Sequence, residues 1–118
     1  MCLSVVYKTK QNVRKRDAIT AYKIITTRDG FLGSIYRRGY KYVLGTVETG
    51  YPGFHGWLDR KAATDRYHYE DNGVGEEKLI VVKLWGRVRF GEQWEMKAVS
   101  ATRMEIKSFR NLVRKRKA

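Results

Sequence analysis

The chain has 118 residues and a mass of 13.8 kDa, enough for one hydrophobic core and too little for two. Apolar residues make up 42% and charged residues 31%, which excludes a disordered chain. Lys and Arg total 25 against 12 Asp and Glu, and self-repulsion at a formal net charge of +13 predicts a polyanionic partner. A single cysteine, Cys2, excludes an intrachain disulfide and a CxxC metal site, and His55 and His68 are too few for a histidine-rich centre. No apolar run is long enough for a membrane span, and the N-terminus lacks the pattern of a secretory leader. The expectation is a reduced, cytoplasmic protein with no membrane, metal or cofactor.

In chain order, Leu3 to Tyr7 predicts a strand through the β-branched Val5 and Val6. Lys8 to Asp17 lacks a periodic apolar pattern and predicts a loop. Ala18 to Thr27 is dense in Ile, Thr and Tyr and predicts a strand; Asp29-Gly30 then turns the chain so that Phe31 to Tyr36 returns beside it. Tyr40 to Val43 and Gly45 to Val47 predict short extended pieces. The glycines around Pro52 mark an irregular stretch without the spacing of a phosphate-binding loop. Phe54 to Trp57 predicts a short strand, and Asp59 stands where an N-cap belongs, ahead of a helix over Arg60 to Tyr69. Lys78 to Phe90 predicts a long strand bent or bulged at Gly86. Gly91-Glu92 predicts a turn, after which Trp94 to Val99 pairs back and Thr102 to Lys107 alternates. The last ten residues predict a basic helix whose Phe109, Leu112 and Val113 dock it on the body. The resulting fold class is α+β, one domain over residues 1–118: a mostly antiparallel sheet, one packed helix and a C-terminal basic helix.

The charge is segregated. Lys8, Lys10, Arg14, Lys15 and Arg16 give the segment 8–16 a local +5. Lys107, Arg110, Arg114, Lys115, Arg116 and Lys117 give the segment 107–118 a local +6, which leaves +2 for the rest. Neither segment contains an acid. That distribution predicts a nearly balanced body with two phosphate-seeking arms, although basic termini are also often merely solvated.

The order Ala21-Tyr22-Lys23, Gly39-Tyr40, Gly45, Gly53-Phe54-His55, Val81 to Gly86 and Ala98 to Ile106 resembles a family of small phage and bacterial proteins with no settled activity. The resemblance covers about Ala18 to Lys107, omits both basic arms, and implies a compact α+β domain often carried by phages. A more distant likeness is to the ADP-ribosyltransferase fold. Tyr22 or Lys23, Gly53 to His55, the Arg60 helix and Leu79 to Gly86 would fill that family's places. Its paired acidic motif is missing here, with only Glu95 or Glu105 as a lone glutamate.

Tyr22, Lys23 and His55 form a possible ligand pocket, but a histidine between Phe54 and Trp57 reads more readily as a hydrogen-bonded core residue. Cys2 as an N-terminal nucleophile would need a larger scaffold than this chain supplies, and no catalytic residue is assigned. Aromatics lie among basic residues along much of the chain, including Trp85 and Trp94 near Arg87 and Arg89; both tryptophans read mostly as core. Arg37-Arg38-Gly39-Tyr40-Lys41-Tyr42 is the densest such cluster, and it fits single-strand stacking and structural packing equally well.

The expected nucleic-acid contacts are Arg14, Lys15, Arg16, Arg37, Arg38, Tyr40, Lys41, Arg110, Arg114, Lys115, Arg116 and Lys117. The leading expectation is a non-enzymatic, phage-derived protein that binds RNA or DNA, or a host nucleoprotein, with low sequence specificity. The alternatives are a phage-encoded inhibitor of a host defence or transcription protein, and a small ADP-ribosyltransferase-like enzyme.

Overall fold

The computed structural model describes residues 3–28, 31–34, 44–48, 53–70, 76–93 and 95–113. In chain order it contains β1 (Val5–Val13), a 3₁₀ turn (Lys15–Asp17), β2 (Ile19–Arg28), β3 (Phe31–Ser34), β4 (Gly45–Glu48), β5 (Phe54–Trp57), α1 (Arg60–Glu70), β6 (Glu76–Gln93) and β7 (Met96–Ile106). All strand pairings are antiparallel. The architecture is therefore α+β and mostly antiparallel sheet.

The frame is the hairpin of β6 and β7, paired from Gln93↔Met96 back to Lys83↔Glu105. Each long strand is flanked by an interrupted one. Along β6 run β1, paired from Val5↔Glu92 to Val13↔Gly86, and then β2, paired from Ile19↔Leu84 to Thr27↔Glu76. Along β7 run β4, paired from Gly45↔Ile106 to Glu48↔Arg103, and then β5, paired from Phe54↔Ala101 to Trp57↔Ala98. β2 and β5 meet at Tyr22↔Trp57, so β6, β2, β5 and β7 close into a ring. β3 extends the sheet as the hairpin partner of β2.

Period-two alternation divides two cores across this sheet. Ala21, Ile25, Ile80, Val82, Leu84, Val88, Val99, Ala101, Met104 and Ile106 fill the ring with Phe54. Ile24, Trp57, Leu79 and Ala98 face outward and are covered by Ala63 and Tyr67 of α1 and by Val113 of the tail. Asp59 starts the helix as its residue type predicts: Oδ1 accepts from the Lys61 N–H at 2.9 Å, and the carbonyl accepts from the Ala63 N–H at 3.0 Å.

Three local expectations change. First, Lys8 to Val13 is strand, not loop. β1 ends the sheet path and is exposed on both faces over nearly its whole length, so it needs no apolar side. Backbone bonds to β6 hold it, and its lysines and register shifts are devices that keep an exposed edge from pairing further. The basic segment is thus part of the sheet as far as Val13, and Arg14 to Arg16 lead out of it into the 3₁₀ turn. Second, Gly91-Glu92 is not a turn, because β6 continues to Gln93 and the reversal lies at Glu95, at φ 63°. Gly91 is needed for proximity: a Cβ there would collide with the Val5 carbonyl of the edge strand. β7 in turn is one continuous strand.

Third, Lys107 to Val113 carries no helix; Arg114 to Ala118 lies outside the described residues. The tail docks as irregular chain across the part of β6 that β7 leaves uncovered. Leu79 donates its N–H to Asn111 Oδ1 at 3.0 Å and accepts at its carbonyl from the Leu112 N–H at 2.8 Å. Asn111 Oδ1 also accepts from the Val113 N–H at 3.1 Å. A side-chain amide and one backbone donor therefore complete the edge of β6.

Candidate cationic interface

The expected bulge at Gly86 is present, and it shapes a cleft. Gly86 has φ 87°, a left-handed conformation that favours glycine, and the β6–β7 register shifts between Trp85 and Val88. Arg87 recovers a bond across the gap by donating its N–H to Thr102 Oγ1 at 3.0 Å. On the other side of β6, β1 shifts register between Lys10 and Val13 and leaves after Val13↔Gly86. The chain then bows outward through Arg14 and the 3₁₀ turn before β2 rejoins at Ile19↔Leu84. Two irregularities thus coincide at one level of β6.

Between them opens a cleft of about 670 Å³ lined by Gln11, Asn12, Val13, Arg14, Lys15, Thr46, Trp85, Gly86, Arg87, Thr102 and Arg103. Four of these carry positive charge and none carries negative charge. Trp85 is only 3% exposed, so it serves as part of the wall and not as an open stacking platform.

Lys15 is held from two sides. Its Nζ lies 5.7 Å from the Trp85 ring centroid and 2.9 Å from Glu105 Oε2. The other oxygen of Glu105 is 3.9 Å from Lys107 Nζ. The hydrogen bond from Lys15 holds the Glu105 carboxyl below its ordinary pKa; partial burial opposes this, and the charges of Lys15 and Lys107 and a bond from Thr46 assist it. Lys10 projects near the Phe90 ring, 5.9 Å from its centroid, and Thr9 pairs with Arg89. Arg16 is exposed, 3.9 Å from the equally exposed Asp17.

The structure thus brings Arg14 and Lys15 of the expected contacts to one cleft, with Arg16 on the adjoining turn. Arg110 is exposed on the tail, where its N–H donates to Ser108 Oγ at 3.1 Å. Arg37, Arg38, Tyr40, Lys41, Arg114, Lys115, Arg116 and Lys117 lie outside the described residues. Sequence reasoning did not assign Gln11, Asn12, Arg87, Thr102 and Arg103 to the interface. Arg87 had a signal, since it follows the glycine expected at a bulge. The others had none, because register alone carries them there.

Tyr22, Lys23 and His55 lie close together at the seam of β2 and β5. Tyr22 packs outward against the helix-side core, whereas Lys23 lies between the inward-facing Ala21 and Ile25. Lys23 Nζ donates to the His55 carbonyl at 3.0 Å, spanning the seam between β2 and β5 just beyond their one paired position. Burial, reinforced by the Lys23 charge, lowers the His55 pKa from 6.5 to about 3, so its imidazole is neutral near physiological pH.

Among the described residues no three His, Cys, Asp or Glu side chains gather as a metal site, and no helix is long and apolar enough to cross a membrane. No protein-family model, curated protein or solved structure matches the chain.

Proposed function

We propose that this protein binds nucleic acid, without catalysing a reaction on it, through the cationic edge formed by β1, the 3₁₀ turn and the bulge of β6. One observation carries the reading. The β1–β6 register sets Lys8 and Lys10 opposite Phe90 and Val88 along the sheet edge, and the chain leaving β1 then carries Arg14 and Lys15 to a cleft with four cations and no acidic lining residue. Phosphates are the ligands that such an array of exposed Lys and Arg attracts, and released counterions supply the driving force. Lys15 and Lys107 are partly neutralised by Glu105, so Arg14, Arg87, Lys8 and Lys10 contribute more of the attraction. No base-reading motif accompanies them, hence low sequence specificity.

The test is binding of a labelled oligonucleotide as a function of salt. If about six phosphates are neutralised, affinity falls roughly a thousandfold between about 50 and 200 mM salt. Lys10→Ala and Arg87→Ala each lower the slope of log affinity against log salt by about 1. A flat titration overturns the proposal. So does a stoichiometric protein partner retained from nuclease-treated extract when oligonucleotides fail to bind, an outcome that favours inhibition of a host protein instead.

A further inference from the structure

We infer that the cleft beside Gly86 receives a single unpaired nucleotide, which makes the protein selective for single-stranded over duplex nucleic acid. The inference rests on the nucleic-acid reading above and adds to it the form of the ligand.

Charge alone does not discriminate the two forms, since both present phosphates. Shape does. A duplex is a convex rod with its bases stacked inside, so it can lie across the rim of a cleft without entering it. The cleft is open to solvent on one side, and its volume of about 670 Å³ is that of a small-ligand site. Only a base released from its stack can occupy such a concavity while its phosphates remain at the rim.

The lining has the chemistry for both parts of that nucleotide. Gln11 and Asn12 are exposed, consecutive residues at the β1 irregularity, and each amide offers an acceptor oxygen and two donors. Such groups can bond the edge of any base, which preserves sequence tolerance. The exposed Arg87 stands at the β6–β7 bulge, where a planar guanidinium provides both a phosphate ligand and a surface on which a base can lie. Arg14 adds charge at the end of β1. A site built only for phosphates would have no use for two adjacent amides at its mouth. The register shift between Lys10 and Val13 is what turns the strand locally at these two residues.

The experiment compares a labelled single strand of about 12 nucleotides with the same strand annealed to its complement, using fluorescence anisotropy on the whole chain at fixed salt. Wild type should bind the single strand about tenfold more tightly, the scale of one accommodated base. The double variant Gln11→Ala, Asn12→Ala changes only exposed side chains, and its circular dichroism should match that of wild type. It should lose about tenfold in single-strand affinity and less than about twofold in duplex affinity. Equal wild-type affinity for the two forms overturns the inference while leaving nucleic-acid binding intact. An equal loss for both forms in the double variant does the same. Failure of wild type to bind either form overturns the underlying reading as well.

Discussion

The ammonium of Lys15 and the carboxylate of Glu105 lie 2.9 Å apart, tying the 3₁₀ turn that follows β1 to the far end of β7. The pair spans the cleft's border, and it sets an acid against a segment that contains none between Lys8 and Arg16. Glu105 therefore tempers the cationic edge as well as fixing its shape.

Replacement of this acid strengthens binding. Glu105→Gln removes the negative charge shared by Lys15 and Lys107, and nucleic-acid affinity should rise by up to about fivefold at moderate salt, the scale of an exposed ion pair. The variant should be slightly less stable at neutral pH. Because the folded carboxyl titrates below its ordinary 4.5, its stabilisation is complete above that value and is lost as pH falls through the folded pKa. Melting temperatures of the two proteins should accordingly converge in acid. A gap that widens on acidification contradicts the assignment.

His55 makes the fold acid-sensitive over a higher range. Its folded pKa of about 3 lies below the ordinary 6.5, so the unfolded chain binds one more proton between those limits. Stability from this group is complete above 6.5 and declines by about 1.4 kcal/mol per pH unit as pH falls toward 3. Urea unfolding of His55→Gln should show a shallower decline over that window than wild type. An imidazole resonance of His55 that titrates near 6.5 in the folded protein contradicts the burial of its neutral form.

Asn111 holds the tail. Asn111→Ala leaves the Leu79 and Val113 N–H groups without the oxygen they share, at a cost of about 1–3 kcal/mol for a buried donor left unpaired. The variant should unfold at lower urea and should be cut by protease after Lys107 or Arg110 faster than wild type. Unchanged stability and unchanged cleavage contradict a docked tail.

Much of the body was legible because burial writes a pattern. β2 and β5 are dense in apolar residues, and Asp59 with the Ala63–Tyr67 stripe marks the start and inner face of α1. β1 was not legible, since a strand exposed on both sides has no alternation to display. Gly91 was misread for a different reason. A glycine that reverses the chain and one that admits a neighbouring backbone look alike in sequence, and only the position of Val5 separates them. In the tail, Phe109 and Val113 have helical spacing, yet they pack into different cores from an irregular segment. The cleft was the least legible feature. Asn12, Arg87 and Arg103 are far apart in sequence, and what unites them is two coincident register shifts.

The ring of strands is unevenly fastened. β2 is laced to β6 over nine successive residues from Ile19 to Thr27, whereas its join to β5 consists of one rung and a lysine tether. Thermal breathing will therefore begin between Tyr22 and Trp57, because parting there leaves the β6–β7 hairpin zipped. Solvent deuterium should reach amides along that margin well before those of Val82 or Val99. The barrel behaves less like a rigid cylinder than like a book hinged on its longest hairpin.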